Sequence, residues 1–342
     1  MTLDRKLQWE FWPWWIFYGP VYLYYLWLSL KARSLVFFSA ANPTMELGGL
    51  VGYSKFDILK RVPEKYRPVC LHLEGDIKLP EIIRVTSKVG VTYPFILKPN
   101  QGERGYAVEK ICSKNELDDY LERFCPDDII IQEYIAHPVE LGIMYSRMPG
   151  EEKGKITSIV IKKFLSVRGD GNSSIQQLIK SDSRSNKYLK LFSKRMGIRI
   201  NRILPEGYTL ELDAIGNHCR GTTFLNGNHL INEDLESIFD RISLAMKVHF
   251  FGRFDLRVAS LQDLYNGESL KILEVNGANS EPAHIYDPEM PIIRAYKHLF
   301  KHWKRLYHVS IANRQMGIPY TGFNVGVKEL IEYFARKRRR RR

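Results

Sequence analysis

The apolar positions of this chain fall into short strand-like runs cut by glycine, proline and asparagine, with amphipathic helical stretches between them. Residues 253–260 and 270–276 read as strands. The polar segment joining them carries Asn266-Gly267, which predicts a hairpin turn. Strand side chains alternate faces, so Arg253, Asp255 and Arg257 share one face of the first run, and Glu274 and Asn276 share one face of the second. Folding about the turn sets Asp255 opposite Glu274. Further strands are expected at 69–73, 93–99, 107–111, 129–135, 156–167 and 209–212. Helices are expected at 113–124, where Ser113 and Glu116 have capping-box spacing, from Ser173 or Ser174 onward, and at 235–249, 292–307 and 325–335. Residues 41–60 start as loop and turn helical near Lys55.

Three of these stretches carry candidate chemistry. The run YPFILKP ends near Lys98 and leads through NQGERGY into another strand. Gly102 and Gly105 there let backbone N–H groups approach an anion. This is not a P-loop, because G-x-x-x-x-G-K-[ST] is absent and the loop leads into a strand. Asp255, Glu274 and Asn276 form a set of hard oxygen ligands with no cysteine nearby, which suits Mg²⁺. The glycine-punctuated loop GNHCRGTTF holds His218 and Arg220.

Composition narrows the class. At 342 residues, 44% hydrophobic and 26% charged, the chain is globular and can bury a substantial core. Its four cysteines are scattered without a C-x-x-C pair, which argues against a zinc site or a disulfide framework and fits a reducing compartment. Seven of the positive charges behind the net +13 lie in residues 336–342, so about half the basic excess belongs to the tail. A cluster of that kind is attracted to anionic lipid. It lacks any module that would read a specific nucleic acid.

Residues 9–30 hold eleven aromatics and one charge, Glu10. A helix of that length would reach about 33 Å, enough to cross a bilayer. However, Trp and Tyr favour the interface, and Pro13 and Pro20 interrupt a helix. The segment therefore reads as an interfacial or re-entrant membrane contact, a span, or an arm packed on the body or on a second copy in a homodimer.

In order, these pieces resemble the ATP-grasp fold: a lysine at a helix start, a lysine strand, a glycine hairpin, a strand ending in Gln-Glu, a second lysine strand, then R-x-D and E-x-N. The lysine, glycine-loop and metal positions are similar to D-alanine–D-alanine ligase, and GDGNSSIQQLI with GNHCRGTTF is similar to the ATP-grasp part of cyanophycin synthetase. The resemblance implies an α+β fold of two α/β lobes with ATP between them. It divides the chain into 1–50 (aromatic segment), 51–310 (ATP-grasp domain, with lid and hinge at 95–165 and metal-binding lobe at 166–290) and 311–342 (helix and polybasic tail).

The resemblance also implies roles. Lys55 and Lys98 would contact the ATP phosphates, and Gln101, Gly102 and Gly105 would belong to the lid. Glu133 and Ile135 would lie in the adenine hinge, Glu140 would accept from the ribose, and Lys162 or Lys163 would sit near the phosphates. Asp255, Glu274 and Asn276 would bind Mg²⁺, with Mn²⁺ as a substitute, and Arg253 would stabilise an oxyanion. The family's N-terminal α/β domain has no counterpart in the fifty-odd residues before Tyr53, so D-alanine does not follow as substrate. His218, Arg220, Glu281 and His284 are the candidates for a substrate pocket, Arg220 alternatively for phosphate. The implied activity is an ATP- and Mg²⁺-dependent ligase joining a small-molecule carboxylate to an amine or thiol; the aromatic segment, basic tail and scattered cysteines add the expectation of a cytoplasmic protein peripheral on the inner face of a membrane. The alternatives are a small-molecule kinase and a silent ATP-binding scaffold.

Overall fold

The computed structural model describes residues 9, 12–102 and 105–339. After a helical turn at Trp14–Phe17 come helices α1 (Gly19–Ala32) and α2 (Lys55–Arg61). A first antiparallel sheet follows, made of β1 (Cys70–Glu74), β2 (Phe95–Pro99), β3 (Glu109–Ile111) and β4 (Asp128–Glu133), in the order β1-β4-β2-β3. Helices α3 (Leu79–Lys88) and α4 (Lys114–Phe124) cover one face of it. There Ile82, Leu117 and Tyr120 pack on Phe95, Leu97, Ile129 and Ile131. Ser113 caps α4, and Glu116 reaches back to the Cys112 N–H at 2.8 Å, so local sequence fixes where this helix begins.

The second sheet contains β5 (Val139–Arg147), β6 (Gly154–Lys163), β9 (Thr223–Asn226), β10 (Phe251–Val258) and β11 (Leu270–Asn276), in the order β11-β10-β5-β6-β9. Between β6 and β9 lies a small unit of β7 (Ser166–Arg168), α5 (Ile175–Ser181), α6 (Leu189–Met196) and β8 (Thr209–Glu211), with Ile179 and Phe192 at its core. Helix α7 (Glu233–Ala245) covers one face of the second sheet: Leu235, Ile238, Phe239 and Ile242 meet Leu141, Ile143, Tyr145, Phe254 and Ile272. The opposite face of β5 and β10 presents Glu140, Gly142, Arg253, Asp255 and Arg257. Helix α8 (Leu261–Asn266) joins β10 to β11, α9 (Ile292–Gln315) packs beside the N-terminal segment, and α10 (Phe323–Arg339) ends the described chain. The class is α+β, as expected, with a sheet in each of two halves.

Several elements differ from expectation. Asn266-Gly267 is not a hairpin turn. Ser260 accepts from the Asp263 N–H and starts α8, Leu264 is buried, and Gly267 ends the helix at φ 65°. The strand pairing survives, because β10 and β11 are still antiparallel neighbours. The predicted strand at 156–167 is two strands, β6 and β7, and β5 and β9 were not anticipated.

The N-terminal segment is also broken where the prolines stand. Pro13 precedes the Trp14–Phe17 turn and Pro20 lies in the first turn of α1, where its missing N–H costs no hydrogen bond. Among the described residues no helix is long and apolar enough to cross a membrane. One side of the segment packs on the body: Trp9 Nε1 donates to Met290 O (2.8 Å), and Phe17 stacks on Tyr296. The other side leaves Trp14, Trp15, Leu23 and Leu30 exposed. Glu10 and Phe11, like residues 103, 104 and 340–342 of the predicted lid and tail, lie outside the described residues.

Candidate active site

A cavity of about 560 Å³ lies where the two sheets meet the N-terminal segment. Strand alternation delivers its charged lining. In β10–β11 register Asp255 pairs with Glu274 and Arg253 with Asn276, so all four side chains leave one face together. Gly142 stands beside them on β5. A Cβ there would come within 3.0 Å of Asp255 Oδ1 and 3.2 Å of Arg253 Cδ, so the glycine makes room for both side chains.

The charges interlock. Lys162 Nζ lies 2.9 Å from Asp255 Oδ1 and 3.1 Å from Glu140 Oε1. Arg253 Nη2 reaches Asp255 Oδ2 at 3.0 Å, and Lys55 Nζ reaches Glu274 Oε1 at 2.9 Å. Lys98 Nζ donates to Leu273 O at 3.0 Å. Asn276 Nδ2 donates to Asp255 Oδ2 (2.9 Å), while Tyr53 OH donates to Asn276 Oδ1 (3.1 Å). Burial alone would raise the Asp255 carboxyl, but Arg253 and Lys162 hold it down at about 2. Burial likewise opposes the Glu274 charge, and Lys55 and Lys98 overcome it. Burial depresses Lys98, partly offset by Glu274.

Backbone contacts anchor the set. Lys55 opens α2, capped by Ser54. Buried Asn100, just past β2, accepts from Ser54 Oγ and from the Phe56 N–H, each at 3.1 Å, tying α2 to the lysine strand. Arg257 donates to Glu140 Oε2 and Ile135 O, both at 2.8 Å, and to Ala214 O at 3.2 Å. Asn100, Tyr53 and Arg257 were not among the sequence candidates. Arg257 had a legible signal, since it alternates with Arg253 and Asp255; Asn100 and Tyr53 had none.

The remaining candidates divide. Lys55, Lys98, Gly102, Gly105, Ile135, Glu140, Lys162, His218, Arg253, Asp255, Glu274, Asn276 and Glu281 line the cavity. Lys162 faces inward and Lys163 is exposed. Gln101 and Glu133 are outside the lining, and the Glu133 carboxylate accepts from the Val69 N–H at 3.0 Å. Arg220 also lies outside it. Its Nε donates to Asp213 Oδ2 (2.7 Å) and its Nη1 to Val108 O (2.8 Å), so it clamps the glycine loop rather than facing the cavity. His284 does not line the cavity either: it is fully buried, 2.6 Å from Ser158 Oγ, and burial pushes its imidazole down to about 3. His218 sits against the rings of Phe224 and Tyr286, and burial lowers it to about 4.

The donor set fits a hard divalent cation. The Asp255 and Glu274 carboxylates and the Asn276 amide oxygen are oxygen donors on paired strands, and Lys55, Lys98 and Lys162 line the same cavity.

No protein-family model matches the chain, and no curated protein sequence matches it. Solved structures do. One is the VanG D-Ala:D-Ser ligase from Enterococcus faecalis, at 15% identity and TM-score 0.42, covering 74% of this chain and 61% of that one. Another is D-alanine–D-alanine ligase from Bacillus anthracis complexed with ATP, at 16% identity and TM-score 0.42, covering 77% and 66%. A third is carboxyaminoimidazole ribonucleotide synthase from Aspergillus clavatus complexed with ATP, at 10% identity and TM-score 0.42, covering 75% and 52%. The matched part thus spans less than two-thirds of each of those chains.

Proposed function

We propose that this chain is an ATP-grasp ligase that uses ATP and Mg²⁺ to join a carboxylate to an amine or thiol through an acyl phosphate. The observation that carries the reading is the meeting of Lys55, Lys98, Lys162 and Arg253 with Asp255, Glu274 and Asn276 in one cavity between two sheets. Lys55 and Lys98 would bind the triphosphate, with the backbone around Gly102 and Gly105 above it. The hinge after β4, at Ile135, would meet the base, and Glu140 the ribose. Asp255, Glu274 and Asn276 would hold Mg²⁺, which neutralises charge on the transferring phosphoryl group. Arg253 would face the oxyanion formed when the nucleophile attacks the acyl carbon. The glycine loop would keep water from the acyl phosphate.

Hydroxylamine should trap the acyl phosphate as a hydroxamate when ATP, Mg²⁺ and the correct acid are supplied, with one ADP per hydroxamate. Asp255→Asn should abolish that turnover. Wild-type rates in the variant would end the assignment. A stable phospho-product in place of hydroxamate would point to a kinase.

We further infer peripheral binding to an anionic membrane. Trp15, Leu23, Trp27 and Leu30 are exposed, Ile293 is 81% exposed, and Lys297, Lys301 and Lys304 line a shallow groove with Tyr24 and Ile293. Aromatic side chains at the interface with basic residues around them suit a headgroup layer. Phosphatidylglycerol vesicles should sediment the protein, and phosphatidylcholine vesicles should not. Equal recovery with both, or a dimer in solution that covers this face, would count against it.

A further inference from the structure

Glu281 differs from the other carboxylates of the cavity. Glu140, Asp255 and Glu274 each contact a lysine or arginine. Among the described residues no lysine or arginine lies within ion-pair distance of Glu281. Instead its Oε2 accepts from Tyr18 OH (2.6 Å) and its Oε1 from Tyr286 OH (2.7 Å), and the two phenol oxygens are 2.6 Å apart. Burial, then the Glu281 charge, holds both phenols protonated. Each carboxylate oxygen keeps a second lone pair free for a donor. Aromatic rings stand beside the phenols: Trp9 lies 5.8 Å from the Tyr286 ring and Phe17 4.9 Å from the Tyr18 ring, and Trp12 and Trp14 line the same cavity. His218, against Tyr286, is neutral at pH 7 and adds no competing positive charge.

A carboxylate beside aromatic rings, held by neutral phenols and without an ion-pair partner among the described residues, is complementary to an ammonium ion. We propose that this end of the cavity binds the acceptor substrate, and that the acceptor is a primary amine carrying an aromatic or large apolar group. Its ammonium is held by Glu281 and its apolar part rests on Trp12 and Trp14. The assignment rests on the ligase reading for its chemistry. In the transfer step the ammonium gives one proton to the Glu281 carboxylate, and the free amine attacks the acyl carbon. The C–N bond forms, and the C–O bond to phosphorus breaks, with its electron pair leaving on phosphate. The nitrogen's second proton goes to phosphate, its third stays on the amide, and Glu281 returns its proton to solvent. Arg253 lines the same cavity as Glu281.

Calorimetry of the full chain with Mg²⁺ and a non-hydrolysable ATP analogue tests this with three probes: 2-phenylethylamine, 3-phenylpropionate and ethylamine. The expected result is that 2-phenylethylamine binds at least about tenfold more tightly than either of the others. Glu281→Gln should weaken it about tenfold or more, and Tyr18→Phe by less. Trp14→Ala, at a residue already 65% exposed and so tolerant of truncation, should erase the preference over ethylamine. Nucleotide affinity and thermal melting should stay near wild type in all three variants. Tighter binding of 3-phenylpropionate, no binding of 2-phenylethylamine, or indifference to Glu281→Gln would overturn the proposal. Amine binding that depends on Glu281 without any nucleotide binding would sink the ligase reading and leave the amine site standing. Nucleotide binding without amine binding would do the reverse.

Discussion

Arg257 is the perturbation whose cost can best be reasoned from geometry. It is 7% exposed, donates to Glu140, to the Ile135 and Ala214 carbonyls and to Tyr134 OH, and lies 5.4 Å and 5.3 Å from the ring centres of Tyr134 and Phe164. Arg257→Met keeps most of the stem but leaves Glu140 buried with Lys162 as its one remaining ion-pair partner among the described residues. Breaking a buried pair from one side costs about 3–5 kcal/mol, mostly because the remaining charge loses its partner. Lys162 stays in place, so the expected loss is at the lower end, about 3 kcal/mol. Glu140→Gln on top of it removes the stranded charge. The double variant should therefore recover at least about 1 kcal/mol relative to the sum of the singles. Urea denaturation of wild type, both singles and the double closes the cycle. Strict additivity would refute the reasoning, since it would mean that the two groups do not sense one another across 2.8 Å.

Two further outcomes are expected. Gly277 follows Asn276, and a Cβ there would meet Gly48 O at 2.6 Å and Gly49 Cα at 2.8 Å, both backbone atoms. Gly277→Ala should destabilise by about 1–3 kcal/mol by forcing the loop away, and should lower turnover with it; an unchanged urea midpoint would contradict the close approach. Acid should destabilise the fold from about pH 6.5 downward. Burial holds His249 and His284 near 3 and His218 and His302 near 4, so below about 6.5 the unfolded chain binds protons that the native one refuses. Each contributes stability that is fully present above 6.5 and lost as pH falls toward the folded value, by about 1.4 kcal/mol per pH unit. A urea midpoint that stays flat between pH 7 and 5 would show that these imidazoles are not excluded from protonation.

The parts of the site that a period of two can specify were legible in the sequence. Arg253, Asp255 and Arg257 alternate along one strand and Glu274 and Asn276 along its neighbour, so their convergence needed only antiparallel pairing. The connection between those strands was misread because Asn-Gly is a strong turn signal. Ser260 and Asp263 form a competing capping pair, and Gly267 serves equally well as a helix C-cap. Strand β5 carried its own signal in the alternation Leu141, Ile143, Tyr145, with Glu140 and Gly142 on the cavity side. What no local pattern encodes is the direction of a polar side chain that has a choice of partners. Arg220 turns to Asp213 and the Val108 carbonyl, Glu133 to the Val69 N–H, and His284 inward to Ser158. Val108, Val69 and Ser158 lie far in sequence from the groups they satisfy, while Asp213 is seven residues from Arg220.

The N-terminal segment carries the same lesson further. Its composition alone allowed a span, an interfacial contact or a packed arm, because aromatic residues serve all three. Packing separates the faces. Phe17 and Val21 are buried against the end of the body, Tyr18 reaches across 263 residues of sequence to Glu281, and Leu23 and Leu30 face outward. The helical segment is broken at Tyr18, and its residues divide among the cavity, the core and the outside. Trp14 both lines the cavity and is exposed, so the mouth of the acceptor recess opens onto the surface proposed to meet lipid. An amine with a large apolar group would partition into that same layer, so chemistry and location favour the same class of substrate.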